Sequence, residues 1–248
     1  MNVATWNVNG IRARASQVRE WLGRERPDVV CLQELKAEPA QIPEECRLAE
    51  YHAYWHGRKG YSGVSLLIRK ELLAGDPLYS HPPFDVESRI VQVELGRLVI
   101  ASVYVPNGGK DYPAKLNFLT RLTDWARQLH AEGRELLLCG DINIARTEMD
   151  VHPKERKPNA IGQRPEERAM FEALLGTGLA DLGRAFDPDN DGLFTWWAPW
   201  RNLRQRNIGW RIDYVLASEA IAATARSCVS FREVGTSDHA PVLADFAL

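Results

Sequence analysis

The segment Leu136-Leu137-Leu138-Cys139-Gly140-Asp141-Ile142-Asn143 constrains the fold more than any other stretch of the chain. A short apolar run with no internal charge reads as a buried strand. The run stops at Gly140, where the backbone is free to bend sharply, and a carboxylate and a carboxamide follow two residues apart. On an extended tip, positions i and i+2 point the same way. Asp141 and Asn143 are therefore expected to stand together at the rim of a sheet, where α/β folds place their chemistry. Taken alone, Gly-Asp-x-Asn also describes an ordinary turn after a strand. Recurrence of the same design along the chain decides between the two.

Residues 2–6 form a short strand ending in Asn7-Val8-Asn9-Gly10, and a helix is expected from Ile11, with Val18, Trp21 and Leu22 at helical spacing. Pro27 ends it, and residues 28–32 are a buried strand delivering Gln33-Glu34-Leu35-Lys36 to its edge. Residues 38–50 are irregular; 51–56 and 64–68 are strands joined by a Gly-rich turn. Residues 89–95 alternate apolar and polar, the mark of a half-buried strand, and Gly96-Arg97 is a hairpin signal before a strand at 98–105. Residues 113–131 carry Leu116, Leu119, Leu122, Ala126 and Leu129 on one helical face. Pro165-Glu166-Glu167 starts another helix, with proline in the first turn and acids at the positive dipole end. Further strands are expected at 193–197, 210–217, 227–231 and 240–246. Hairpins and helical crossovers both occur, so the sheets are expected to be mixed and to belong to one domain spanning residues 1–248.

A chain of 248 residues that is 45% hydrophobic and 26% charged has the composition of a packed domain. Its formal charge of −2 gives no global basic footprint, so affinity for nucleic acid must come from local patches. Two exist. Residues 1–19 lack acids but hold Arg12, Arg14 and Arg19, and residues 192–212 lack acids while arginines alternate with Trp196, Trp197, Trp200 and Trp210. The four cysteines are scattered, with no C-x-x-C pair to suggest zinc. No apolar run spans a bilayer and the N-terminus reads as a strand rather than a signal peptide, so a reducing, cytoplasmic setting without membrane contact is expected.

Six strand ends carry polar groups: Asn7, Glu34, Tyr104, Asp141 with Asn143, Asp213, and Asp238-His239. Singly, each has a bland structural role, such as a helix cap, a solvated strand end or a turn. Together they complete a phosphodiester-cleaving site. A hard cation such as Mg²⁺ takes oxygen ligands; Glu34, helped by Asn7 and Asp238, supplies them. Phosphoryl transfer also needs an activated water and charge neutralisation. Asp141 could accept the water's proton, while Asn143 and a cationic His239 could donate to phosphate oxygens. Asp213 could raise the His239 pKa, and Tyr104 could offer its hydroxyl.

With these residues in view, the chain resembles the exonuclease III family of apurinic/apyrimidinic (AP) endonucleases, within the endonuclease/exonuclease/phosphatase superfamily. The matching stretches are Thr5-Trp6-Asn7-Val8-Asn9-Gly10-Ile11-Arg12, Leu32-Gln33-Glu34-Leu35-Lys36, Gly60-Tyr61-Ser62-Gly63-Val64 and Tyr104-Val105-Pro106-Asn107-Gly108. They continue with Gly140-Asp141-Ile142-Asn143-Ile144-Ala145, Gly209-Trp210-Arg211-Ile212-Asp213-Tyr214 and Ser237-Asp238-His239-Ala240-Pro241, in the family's order over nearly the whole chain. The resemblance implies a four-layer α/β sandwich of DNase I-like type, with two mixed sheets flanked by helices. It implies a Mg²⁺- or Mn²⁺-dependent repair nuclease that cuts double-stranded DNA 5′ to abasic sites and trims 3′ ends as an exonuclease or phosphatase. The implied metal network is Asn7, Glu34, Asp141, Asn143, Asp238 and His239; Tyr104, Asp141, Asn143, Asp213 and His239 carry the implied catalytic roles. Whether one metal or two act, and which group is the base, stays open.

By the same resemblance, Trp196, Trp197, Trp210 and Ile212 line a pocket for a baseless sugar. Arg12, Arg14, Lys59, Lys110, Arg204 and Arg206 are candidate phosphate contacts, with Asn107 beside them. The chain has Asn9 where family members vary between Asp and Asn, which weakens the case for a second cation, and its loop after Pro106 is short. A phosphodiesterase for RNA or for phospholipid or inositol phosphate head groups is the rival within the superfamily. A non-catalytic DNA-binding relative is the rival outside it, but Glu34, Asp141 and His239 are all present. A monomer is expected.

Overall fold

A computed structural model describes every residue except Lys59 and Leu248. The first half of the chain gives β1 (Asn2–Asn7), α1 (Ile11–Glu25), β2 (Val29–Gln33), β3 (Tyr51–Arg58), β4 (Tyr61–Arg69), β5 (Tyr79–Ser80), β6 (Ile90–Leu95) and β7 (Leu98–Tyr104). The second half gives α2 (Tyr112–Ala131), β8 (Glu135–Asp141), α3 (Pro165–Leu175), β9 (Leu179–Asp181), α4 (Leu182–Phe186), β10 (Asp213–Ser218), α5 (Glu219–Ala222), β11 (Ala225–Ser230) and β12 (Val242–Phe246).

The strands form two six-stranded sheets, ordered β11-β12-β1-β2-β4-β3 and β5-β6-β7-β8-β10-β9. β1 pairs in parallel with β2, and β7 with β8, while the neighbouring pairings are antiparallel. Parallel neighbours cannot be joined by a tight hairpin and need a crossover, which α1 and α2 supply. The sheets pack face to face, with Val3, Cys31 and Leu66 of the first meeting Ile100, Leu137 and Val215 of the second. On the outside, α1 lays Ile11, Val18 and Leu22 on Ala4, Val30 and Leu67. Helices α2 and α3 lay Leu119, Leu122, Phe171 and Leu174 on Leu136, Leu138 and Leu216. The result is a four-layer α/β sandwich, and it explains the unbroken apolar run of β8. Leu136 and Leu138 face helices, Leu137 and Cys139 face the other sheet, and neither face of the strand is wet. No helix among the described residues is long and apolar enough to cross a membrane.

Four local expectations change. Gly140 does not bend the chain but lies within β8 opposite Val103, where a Cβ would come within 1.9 Å of the Val103 carbonyl oxygen. Close approach of β7, rather than a turn, requires glycine there. Residues 193–197 make only isolated bridges, Trp196 with Trp210 and with His239. The neighbouring strand begins at Asp213 rather than at 210, because Thr195 Oγ1 accepts the amide N–H groups of Ile212 and Asp213, 3.0 Å each, in place of a ladder partner. On α2 the buried stripe includes Lys115 while Leu116 is only half-buried.

Lys115 is the reason. Its ammonium and the Glu167 carboxylate of α3 are wholly buried and 2.5 Å apart. Lys115 Nζ also donates to the carbonyl oxygens of Asn143 (2.8 Å) and Asn107 (3.3 Å), and Glu167 Oε2 accepts the amide of Gly162 (2.7 Å). Burial pulls the Lys115 pKa below its ordinary value, and Glu167 pulls it part of the way back. Breaking a buried pair by removing one partner leaves an uncompensated charge. Glu167→Gln is therefore expected to cost about 3–5 kcal/mol of stability. Adding Lys115→Met in the same chain should restore part of it, since no buried charge then remains. Urea unfolding midpoints of the two single variants and the double variant test this.

Candidate active site

Strand direction brings the polar ends together. In the parallel pairs, the carboxyl ends of β1, β2, β7 and β8 all point to one rim and carry Asn7, Glu34, Tyr104 and Asp141. The antiparallel neighbours contribute their opposite ends: Asp213 opens β10, in register with Asp141, and His239 precedes β12. Several rim residues adopt left-handed backbone, Asn9 (φ 45°), Glu34 (φ 52°), Lys36 (φ 49°) and Asn143 (φ 56°) among them. Non-glycine residues held there are strained and cluster where side chains must be aimed. Asn143 joins Asp141 through this turn and not through the pleat of an extended tip: its amide N–H donates to Asp141 Oδ1 at 2.8 Å.

Asn7 is the hinge of the network. Its Nδ2 donates to Glu34 Oε1 (3.0 Å) and to Asp141 Oδ2 (2.9 Å), joining the first sheet to the second. Its Oδ1 accepts the amide of Asn9 (3.0 Å), so the carboxamide nitrogen, not the oxygen, faces the carboxylates. Asn143 Nδ2 donates to Asp141 Oδ2 (3.2 Å) and to the carbonyl of Val105 (2.9 Å), while its Oδ1 accepts from Asn107 Nδ2 (3.2 Å). His239 Nδ1 lies 2.9 Å from Asp213 Oδ2, and its Nε2 faces Asp141 Oδ2 at 3.9 Å. Asp238 sits one step outside, accepting from Asn9 Nδ2 (2.7 Å) and Trp196 Nε1 (3.0 Å). Lys36 Nζ bridges Glu34 Oε2 (2.7 Å) and Asn9 Oδ1 (2.5 Å).

The charges follow from this packing. Burial disfavours a charged His239, yet Asp213 first, then Asp141 and Asp238, lift its pKa to about 10, so it is a cation at neutral pH. Burial raises the Asp141 pKa, and Asp213 and Glu34 add to it while His239 opposes. Glu34 is lowered despite burial, because His239, Lys36 and Asn7 favour its ionised form. Tyr104 is held neutral by burial and by the negative charges of Glu34 and Asp141.

Glu34, Asp141 and His239 each offer a ligand atom, all within 4.8 Å of one another. An imidazolium has no lone pair to give, so the two carboxylates are the donors, and two oxygen donors suit a hard cation. An acceptor carboxylate opposite a fixed imidazolium, with a neutral phenol beside them, can take a proton from water while stabilising negative charge on a bound phosphate.

The surface candidates divide. Arg12, Lys110, Arg206 and Asn107 are exposed, and Lys59 lies outside the described residues. Trp196 and Trp210 are partly exposed, their rings edge to face at 5.4 Å. Arg14 is half-buried and donates to the Asn9 carbonyl (2.8 Å). Two candidates are corrected. Trp197, 1% exposed, lies in the core beneath Arg204, so its ring presents no face to a nucleotide. Arg204 is half-buried and turns one N–H of each of its three nitrogens to the carbonyls of Arg232 and Val234 (2.7 Å each) and Ser237, so its guanidinium is fixed to the loop rather than extended to a phosphate. Ile212, 5% exposed, backs the two outer rings. Sequence reading missed Lys36, Thr195 and Lys115 as site-building residues. It also missed Arg89, which lies over the rings of Tyr104 (4.9 Å) and Tyr61 (5.5 Å). A lysine inside an otherwise apolar helical stripe was the one available signal.

Residues 4–239 match the model of the Endonuclease/Exonuclease/phosphatase family. An exodeoxyribonuclease of Bacillus subtilis is 33% identical over 255 residues, covering 98% of both chains. The structure of an AP endonuclease from Archaeoglobus fulgidus superposes with a TM-score of 0.89 at 28% identity, over 100% of each chain. A Neisseria 3′ phosphatase, NExo, bound to a product DNA hairpin, superposes with a TM-score of 0.90 at 31% identity, again over 100% of each chain. The chain belongs to the endonuclease/exonuclease/phosphatase family, in its exonuclease III branch.

Proposed function

We propose that this chain is a Mg²⁺- or Mn²⁺-dependent DNA repair nuclease that hydrolyses the backbone 5′ to abasic sites in duplex DNA and leaves a 3′-hydroxyl. Trimming of 3′ ends as exonuclease and 3′-phosphatase is the same attack of water on phosphorus in the same site. The observation that carries this reading is Asp141, held by Asn7 and Asn143 and faced by an imidazolium that Asp213 maintains. The names of the relatives supply the substrate class. Every group in the site comes from one copy of the chain, so a single-domain monomer suffices.

Glu34 and Asp141 would hold the cation, which when bound neutralises charge on phosphate and assists the leaving oxygen. Asp141 accepts the proton of the attacking water, its ionised form favoured by the facing His239 and by the Asn7 donor. His239 Nε2–H donates to a non-bridging oxygen, and Asp213 at Nδ1 fixes ring orientation and charge. Tyr104, neutral throughout, donates its hydroxyl to the phosphate. Asn143 and Asn107 keep Asp141 aimed. Trp196 and Trp210, floored by Ile212, form an apolar wall that accepts a baseless deoxyribose and excludes a full nucleotide. Arg12, Lys110 and Arg206 remain as phosphate contacts that position the duplex without reading its sequence.

The direct test is a labelled duplex with one abasic-site analogue, incubated with Mg²⁺ and then with EDTA, beside an intact duplex with a recessed 3′ end. Metal-dependent incision at the analogue is expected; cleavage of neither duplex would overturn the reading. Glu34→Ala should abolish cleavage while duplex binding, measured by fluorescence anisotropy, is largely kept. Asp141→Asn should slow single-turnover cleavage by a factor on the order of 10²–10⁴, and unchanged turnover would remove Asp141 from the role of base. Asp213→Asn tests the imidazolium. Because the Asp213 carboxylate raises the His239 pKa, the wild type keeps the cation from about pH 6 to 9. In the variant that pKa falls, so activity relative to wild type should decline as pH rises through this window. A ratio independent of pH would mean that Asp213 acts otherwise.

A further inference from the structure

A second cluster of ligating side chains lies away from the rim site, where the edge strands of the two sheets meet. His56 is on β3, His81 directly follows β5, and Asp85 lies in the turn before β6. Each offers a ligand atom, and these atoms lie within 4.8 Å of one another. His56 Nε2 is 2.6 Å from Asp85 Oδ2, and His81 Nδ1 is 4.0 Å from the same oxygen. The imidazole rings are stacked, with centroids 3.9 Å apart and planes at 29°. The side chains are 23%, 26% and 10% exposed for His56, His81 and Asp85, so water can reach the cluster.

We propose that His56, His81 and Asp85 form a site for a borderline divalent metal ion of the Zn²⁺ type, separate in position and ligand chemistry from the rim site. Two imidazoles and a carboxylate form a donor set for zinc and its neighbours in the transition series, whereas Mg²⁺ takes oxygen. The outer contacts are those that orient ligands in such sites. Asp85 Oδ1 accepts the amides of Arg89 (2.8 Å) and Ile90 (3.1 Å), which leaves Oδ2 aimed at the histidines. Tyr54 Oη is 3.0 Å from His81 Nε2. His81 Nδ1 lies 2.9 Å from the Ile90 carbonyl and donates to it without metal. Coordination exchanges that bond for a metal bond: the His81 proton moves from Nδ1 to Nε2, where Tyr54 Oη accepts it, and the His56 Nε2 proton that points at Asp85 Oδ2 without metal passes to His56 Nδ1 or to water. Stacked rings must also open around the carboxylate, because ligand atoms about 2.0–2.1 Å from one tetrahedral metal are splayed rather than parallel. His81 sits at the end of a two-residue edge strand and is placed to make that movement.

Coordination here would clasp the two sheets at an edge and brace the turn that carries Arg89. Arg89 donates to the Tyr104 carbonyl (3.4 Å) and the Tyr61 hydroxyl (3.0 Å), and with them lines a groove that runs to Asn107 and Lys110, so the metal would stiffen one wall of it.

The test uses the full chain carrying Glu34→Ala, which disables the rim site, titrated with Zn²⁺ by calorimetry and with Co²⁺ by visible absorption. One equivalent is expected to bind with a tetrahedral Co²⁺ spectrum, to raise the melting temperature, and to weaken more than about tenfold on adding His81→Gln. As a readout that needs no substitution of the cluster, Zn²⁺ should protect His56 and His81 of the wild-type chain from diethylpyrocarbonate, mapped by mass spectrometry. Absence of the equivalent in Glu34→Ala, equal affinity with and without His81, or unprotected histidines would each overturn the proposal. Because Glu34→Ala removes the rim site, failure of the nuclease reading and failure of this one are distinguishable.

Discussion

One carboxamide joins the two halves of this molecule at the place where chemistry is possible. Asn7 ends a strand of the first sheet, and its Nδ2 reaches both Glu34 of the same sheet and Asp141 of the other. Two carboxylates brought this close repel in a dry environment. The shared donor lowers that cost and also sets the spacing between them. The backbone N–H of Asn9 fixes which end of the carboxamide faces inward, so the bridge cannot flip without losing a hydrogen bond. The pairing of Asp141 with His239, and of His239 with Asp213, is built outward from this contact.

The sandwich explains why such a site lies at a rim. With helices outside and a second sheet inside, neither face of β8 has room for a charge, and only its end does. The two parallel pairs then determine which rim it is, since α1 and α2 return the chain so that two adjacent carboxyl ends coincide in each sheet. Burying charge there is costly unless every group is paired. The Lys115–Glu167 pair applies the same rule one layer down. By holding the carbonyls of Asn107 and Asn143, Lys115 fixes the loops behind the acceptor carboxylate at the expense of a desolvated ammonium that Glu167 must neutralise.

Most of this architecture was legible in the sequence, because burial on both faces leaves runs such as 136–139 and 28–32 almost without polar residues. The strand ends were legible for the converse reason: Glu34 and Asp141 are polar residues just past apolar runs, and His239 stands just before one. What stayed hidden were contacts that join residues far apart in sequence. Nothing local distinguishes Thr195, whose hydroxyl caps the amides of Ile212 and Asp213, from any other threonine near an aromatic run. Arg89 was read only as the first residue of a strand, yet it stacks on two tyrosines that lie 28 and 15 residues away in the chain.

The tryptophan-rich segment shows where pattern and packing part. Alternating rings and guanidinium groups without acids suit a nucleic-acid surface, but the same composition also builds a loop that must hold itself together without a sheet. Trp197 and Arg204 serve the second purpose, the ring buried and the guanidinium spent on three backbone carbonyls. That expenditure frees others. With the loop tied down from beneath, Trp196 and Trp210 can remain partly exposed without collapsing onto the core, and the Trp196 indole N–H is turned to Asp238 beside the rim. Selectivity for a sugar without its base depends on the shape of a wall, and a wall keeps its shape only if the residues behind it are committed to structure. The arginine tied into the loop is thus a condition for the placement of the two outer rings.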